Sequence, residues 1–232
     1  ESYRLLFSRH ADGEQWDAMV LVSLNGPVQQ ARQREIADSM AAATDPSVPA
    51  LRPVVNAVPV DLMRHDAAPA LPSNPVVLVI PYQTLVPARD YLDYADGYVI
   101  PQFEGWMREG VLSRFAIYAS KDAASRGWSH TILLDYRGEE ALAARAAVVT
   151  RVRAQLKEQP AWRALSESKV KVREERQAVV ADVAGDDDPV AHAQPVVAHH
   201  ARGERDAGGV DDQRVDLTLP HHLGVAGDDG HA

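Results

Sequence analysis

The stretch that decides the fold is Trp128-Ser129-His130-Thr131-Ile132-Leu133-Leu134-Asp135-Tyr136, closed by Gly138-Glu139-Glu140. Its apolar residues are aliphatic or aromatic, it alternates, and a glycine ends it, so it reads as a strand turning into a helix. Upstream, Arg114 to Ser120 alternates in the same way and forms the antiparallel partner across a loop holding Lys121-Asp122 and Arg126-Gly127. Further upstream, Ala88 to Glu109 places Tyr91, Tyr94, Tyr98 and Trp106 at helical spacing, with Gly110 as the stop. Pro101 falls inside that helix and predicts a kink or break. Before it, Val76 to Ile80 is a dense aliphatic run between Pro75 and Pro81, the mark of a buried strand.

Downstream, Glu139 to Leu156 carries a helical pattern through Ala141, Leu142, Ala144, Arg145, Val148, Val149 and Val152. Pro160 ends it, Trp162 and Leu165 make a short docked turn, and Val170 to Val183 supplies a last extended element. The order is β-α-β-β-α-β, the split βαβ or ferredoxin-like unit, spanning residues 75–185.

The N-terminus repeats part of this order. Arg4-Leu5-Leu6-Phe7 corresponds to Arg114-Phe115-Ala116-Ile117, and Trp16 to Val22 corresponds to Trp128 to Leu134. Gly26 falls opposite Gly138, a helix rich in Ala and Arg follows from Val28 to Ala43, and Pro53 to Val60 is the closing strand. The expected architecture is α+β, a tandem of ferredoxin-like units. Residues 1–66 form a first unit lacking its opening β-α, residues 67–74 a linker, and 75–185 a complete second unit. The simplest account of the missing β-α is a chain cut inside its first domain.

Residues 186–232 differ in kind. They hold ten acidic residues against three arginines, so they carry most of the formal net charge of -9 over 232 residues. They contain six of the nine histidines and no aromatic, Ile, Met or Lys. So little bulky apolar surface does not offset the entropy of ordering the chain, and a disordered tail is expected. Nearly every residue there has a codon beginning in G or C, which suggests a frameshift or read-through product of a GC-rich gene. His199-His200 and His221-His222 offer imidazoles for metal capture, but adjacent pairs lack the i, i+4 spacing that puts two rings on one helical face. Accidental histidines from a biased composition explain them better.

The pattern resembles the dimeric α/β-barrel superfamily, which includes antibiotic-biosynthesis monooxygenases and stress-responsive barrel proteins. The resemblance rests on the Tyr-rich helix ending in Trp106 and Gly110, the strand Val111 to Ser120, and the strand Trp128 to Tyr136 with Gly138-Glu139-Glu140 after it. It covers Asn74 to Val183 well and Glu1 to Met63 partially. It implies two four-stranded sheets closing a barrel, across a homodimer or within one chain as a pseudo-dimer.

Composition narrows the chemistry. Zero cysteines remove thiolate catalysis, disulfides and Cys-type metal sites. The first 185 residues are nearly charge-balanced and lack the basic face a nucleic-acid binder needs. No apolar run reaches the roughly 18–20 residues that span a bilayer. There is no nucleotide-binding glycine loop, no His-Glu-x-x-His and no nucleophile elbow, and no cofactor or metal is expected. Compartment is not readable, and export is compatible with a signal lost ahead of Glu1.

The candidate site is Arg114, Tyr118 and His130, with Trp128 and Trp106 completing a pocket. If their polar ends share the barrel interior, His130 serves as base or ligand and Arg114 and Tyr118 donate to a bound oxygen. Against this, a histidine making one structural hydrogen bond and tryptophans serving as core are the commoner uses of those residues. The leading functional expectation is a non-catalytic or small-ligand-binding barrel protein. The alternatives are a cofactor-free monooxygenase or isomerase acting on a small aromatic or carbonyl substrate, and a subunit pairing through its sheet face.

Overall fold

The computed structural model describes residues 2–10, 16–24, 54–121, 123, 127–186 and 196–202. The predicted helix Val28 to Ala43 and the His221-His222 pair lie outside them. Nine strands form one antiparallel sheet: β1 (Ser2–Ser8), β2 (Ala18–Ser23), β3 (Val54–Ala67), β4 (Val76–Thr84), β5 (Leu112–Ser120), β6 (His130–Tyr136), β7 (Arg173–Glu175), β8 (Val179–Asp186) and β9 (Val196–Arg202). Their order is β6-β5-β3-β9-β2-β1-β8-β4-β7, and β6 also pairs β4. That last pairing curls the sheet closed, so eight strands form a ring and β7 continues β8's side of β4. The strand β9 falls within the tail expected to carry no structure, so that expectation does not extend to residues 196–202. There the main chain hydrogen-bonds β2 on one side and β3 on the other, which needs no large side chains.

Alternation along the strands splits the apolar residues into two cores. Leu6, Met19, Leu21, Val58, Val60, Val77, Val79, Ala116, Tyr118, Leu133, Val179 and Ala181 fill the interior of the ring. Val76, Leu78, Ile80, Ile117, Ile132, Leu134 and Tyr136 point outward and are covered by helices. Those helices are α1 (Ala88–Tyr94), α2 (Ile100–Arg108), α3 (Glu139–Ala143), α4 (Arg145–Lys157) and α5 (Pro160–Val172). Between α1 and α2, Ala95–Val99 is a π-turn.

Several local expectations change. Pro101 does not break its helix: it sits in the first turn of α2, where its missing N–H costs nothing, and the widened turn before it absorbs the ring. The short turn expected around Trp162 is the thirteen-residue helix α5, started by Pro160 in its first turn. The final extended element is therefore two strands, β7 and β8, and residues 170–172 are helical. The closing strand of the first unit, β3, extends to Ala67 and takes in the start of the expected linker.

The end of α2 follows from Gly110. Its φ of 79° lets Val111 N–H reach Trp106 C=O at 3.2 Å and Gly110 N–H reach Met107 C=O at 3.0 Å, a Schellman ending that seats Val111 on Trp106. Gly105 faces Val152 of α4 so closely that a Cβ would overlap its Cγ1. That contact sets the spacing of the helical layer.

Candidate functional site

The register of β5 and β6 decides which predicted site residues meet. One register runs from Ala119 to Arg114, with Tyr118 opposite Thr131 and Arg114 opposite Asp135, and it shifts only beyond Arg114, at Leu112. Arg114, Ala116 and Tyr118 therefore share the ring interior with Thr131, Leu133 and Asp135. His130 points to the other side, among the residues facing the helices. The expected trio is divided by the sheet: Arg114 and Tyr118 are inside, His130 outside. The polar ends of one strand were matched to the wrong face of the next, a one-residue question that alternation alone does not settle. Trp128 precedes β6 and packs on the interior core with Met19, Val60 and Tyr118. Trp106 lies under the helices against Phe103, with ring centroids 5.1 Å apart.

Inside the ring, Asp135 is the centre of a charged cluster. Arg4 donates from Nη1 to Oδ1 at 3.0 Å and from Nη2 to Oδ2 at 2.8 Å, and Arg114 donates from Nε to Oδ2 at 2.6 Å. All three residues are 2% exposed. The planar guanidinium of Arg4 grips the carboxylate in a two-bond fork, the arrangement that best offsets desolvation. The neighbouring gap, lined by Met19, Leu21, Tyr118, Trp128, Thr131 and Leu133, has a volume of about 10 Å³, room for about one water. The interior holds packed side chains, with no space for an organic substrate.

The outer face differs. His130 is 3% exposed, and its Nδ1 is 3.1 Å from Ser129 Oγ. Its ring lies 4.2 Å from the Tyr91 ring, centroid to centroid. Burial lowers its pKa to about 4, so it is neutral at pH 7. Next to it on β4, Tyr82 stands opposite His130 on one side and Glu175 on the other. Arg173, where α5 ends and β7 begins, lies over the Tyr82 ring at 4.2 Å, with Tyr94 at 5.8 Å and Tyr98 at 6.0 Å. Burial raises the pKa of Tyr82, Tyr91 and Tyr94, so all three hydroxyls keep their protons.

The hydrogen bonds of this region are incomplete. Tyr82 Oη donates to Glu175 Oε2 at 3.3 Å, and Trp162 Nε1 donates to the Tyr98 carbonyl at 3.1 Å. Tyr91 Oη, Tyr94 Oη, His130 Nε2 and Arg173 Nη1 are buried and have no partner among the described residues. An unpaired buried polar group costs about 1–3 kcal/mol, so four in one region make it the candidate site. Arg4 Nε and Trp106 Nε1 are the other cases lining the cores, and each stands apart from this group.

Sequence reasoning found His130 but missed its neighbours. Tyr91, Tyr94 and Tyr98 are the helix face packed on the sheet that their spacing predicts. Arg173 carried no signal, because its surroundings come from a helix end and three separate elements. His10 accepts at Nε2 from Val180 N–H at 3.2 Å, and Arg9 beside it pairs with Asp182 and Glu139. Arg145 and Arg153 donate to Tyr136 Oη at 3.0 Å and Gln102 Oε1 at 2.8 Å. No group of three or more His, Cys, Asp or Glu capable of holding a metal occurs among the described residues. No helix among them is long and apolar enough to cross a membrane.

No family model matches the chain, and no curated protein matches it. Among solved structures, a crystal structure from Fusobacterium nucleatum subsp. nucleatum described as a "Putative monooxygenase" superposes with a TM-score of 0.36 at 8% identity. The match covers 90% of this chain and 83% of that one. Nothing about this chain's chemistry follows from a superposition at that level.

Proposed function

We propose that this chain is a ligand-binding barrel protein that seats a small molecule between its helical layer and the outer face of β4, β6 and β7. One observation carries the reading: Tyr91 Oη, Tyr94 Oη, His130 Nε2 and Arg173 Nη1 are buried beneath α1 without partners among the described residues. The ring interior is a poor alternative, since its charges bind each other and its gaps hold about one water.

The fold that supports this seat is read as two ferredoxin-like units closed on each other in one chain. One half has the neighbour order β8-β4-β6-β5. The other has β3-β9-β2-β1, the same order with β9 standing where the missing opening strand belongs. The pairing of sheet faces implied by the dimeric α/β-barrel resemblance would then be internal to the chain. The monooxygenase or isomerase reading in its original form needs Arg114, Tyr118 and His130 around one substrate, and the sheet separates them.

Native mass spectrometry of the full purified chain tests the binding reading. A small molecule carried through purification, and lost from the double variant Tyr91→Phe/His130→Phe, is the expected result. Carry-over that is unchanged in this folded variant would place the ligand elsewhere and sink the proposal. Absence of any adduct, together with no thermal stabilisation by small aromatic, carbonyl or carboxylate compounds, would also sink it.

A further inference from the structure

Charge at the site specifies the class of ligand, granted that a ligand binds there. Arg173 Nη1 is fully buried, and Arg173 makes no ion pair with any described residue. Six other arginines, Arg4, Arg9, Arg64, Arg114, Arg151 and Arg176, each face a carboxylate within hydrogen-bonding distance, while Arg145 and Arg153 donate to neutral oxygens. A guanidinium stays protonated at any working pH, so it does not escape burial by losing its charge. What surrounds it compensates only in part. The Tyr82 ring lies beneath it, and the last carbonyls of α5 point toward its backbone. Glu175, two residues along β7, is exposed and spends its hydrogen bond on Tyr82.

The remaining groups are of one kind. Tyr91 and Tyr94 present protonated hydroxyls with no acceptor among the described residues, while His130 is uncharged and adds no competing cation. The Tyr91 oxygen can accept from Arg173 beside it, which still leaves Arg173 Nη1 and the Tyr91 and Tyr94 hydroxyl protons to be placed, and an acceptor carrying negative charge satisfies these remaining donors. A neutral carbonyl meets the hydrogen bonds but leaves the cation uncompensated.

We propose that the polar cluster beneath α1 binds a small oxyanion, held by Arg173 and the Tyr91 and Tyr94 hydroxyls. This rests on the ligand-binding reading above and adds the charge requirement to it. Carboxylate and phosphate share that chemistry, and separate arms distinguish them.

The test is thermal unfolding of the full chain at constant ionic strength, with added formate, acetate, inorganic phosphate, or acetamide as the uncharged shape-match of acetate, against chloride alone. A ligand that binds only the folded state raises the melting temperature with its concentration. The expected result is stabilisation by acetate or formate, or by phosphate if the anion is tetrahedral, and none by acetamide. Arg173→Met should weaken the stabilising anion at least ten-fold, and Tyr91→Phe several-fold. Arg64→Gln, which removes a surface pair with Asp96, should leave it unchanged. If Arg173→Met does not fold, the Tyr91→Phe/Tyr94→Phe double variant is expected to give a comparable loss. Equal effects of acetate, acetamide and chloride would overturn the oxyanion assignment, as would full retention of the effect in Arg173→Met. Stabilisation by acetamide and aromatic amides through Tyr91 and His130 would overturn it too, yet leave the ligand-binding reading standing. No stabilisation by any of these, with no adduct in the mass spectrum, removes both.

Discussion

Inside the ring, Asp135 takes three hydrogen bonds from Arg4 and Arg114 between 2.6 and 3.0 Å. On the other side of the same strand, His130 and the residues facing it leave four polar atoms without partners. Both regions are equally dry, since Asp135 is 2% and His130 3% exposed. Burial therefore does not separate structure from function here. What separates them is how far the protein pairs its own charges. The interior cluster sets its guanidinium groups on one carboxylate, with Arg4 Nε left without a partner among the described residues, and works as part of the core. The cluster under α1 leaves four polar atoms without partners among the described residues, and the proposed binding reading rests on that difference.

The largest test of the comparison is to open the interior cluster. Asp135→Asn removes the charge that Arg4 and Arg114 share, and breaking a buried pair from one side costs about 3–5 kcal/mol. Urea denaturation should show a loss of that size. Replacing all three members with apolar residues of similar size, as in Arg4→Leu/Arg114→Met/Asp135→Leu, should recover most of it. If Asp135→Asn alone is tolerated within about 1 kcal/mol, the interior cluster is not the paired unit described here.

The second test uses pH. His130 has a folded pKa of about 4 against about 6.5 in the unfolded chain, so between those values the unfolded state binds the extra proton. Its contribution to stability is complete above pH 6.5 and is lost as pH falls toward 4, by up to about 3 kcal/mol. Unfolding free energies of wild type and His130→Phe, measured at pH 7 and pH 5, should differ in slope by about 2 kcal/mol. Parallel slopes would mean that His130 is far better hydrated than its surroundings indicate.

A third experiment asks whether the outer layer is simply loose. At its other end α2 and α4 touch through Gly105 and Val152, where an added methyl group has no room. Gly105→Ala should destabilise by about 1–3 kcal/mol through overpacking, despite alanine's better helix propensity. Gly127→Ala, with nothing within 4 Å of its Cβ, is the matched control and should be near neutral. A cost at Gly105 shows that the layer is tightly packed, so the unpaired atoms under α1 are a local feature.

Much of this architecture was legible in the sequence. The alternation in Val76 to Ile80, Arg114 to Ser120 and Trp128 to Tyr136 gave three strands that pair as expected, because period-2 burial is written directly in residue type. The site was legible only in pieces. His130 and Tyr118 stood out as polar groups in apolar strands, but placing them together required the register of β5 against β6. That register pairs Ala119 with His130 and Tyr118 with Thr131 next to the connecting loop, and alternation within each strand leaves the offset between them open. Arg173 was hidden for another reason: its run reads as one extended segment, whereas a helix ends there and aims it at three tyrosines.

The smallest expected effect is also the most discriminating, because its sign differs between two residues of one type. Tyr136 Oη accepts a hydrogen bond from Arg145 Nε at 3.0 Å, so Tyr136→Phe removes a formed interaction and should cost about 1 kcal/mol. Tyr91 is as deeply buried, with both rings fully covered, but its hydroxyl is unpaired among the described residues. In ligand-free protein Tyr91→Phe removes a desolvated group that gains nothing in return, and should be neutral or stabilising by up to about 1 kcal/mol. With a bound oxyanion the order reverses: Tyr91→Phe then loses a hydrogen bond to a charged acceptor, worth about 1.5–3 kcal/mol, while Tyr136→Phe is unaffected by ligand. Measuring both variants with and without saturating acetate reads the difference between a structural tyrosine and a binding one in a single set of unfolding curves. A destabilising Tyr91→Phe in both conditions would mean that an ordered water already completes the pocket, and that the protein closes its outer site as it closes its inner one.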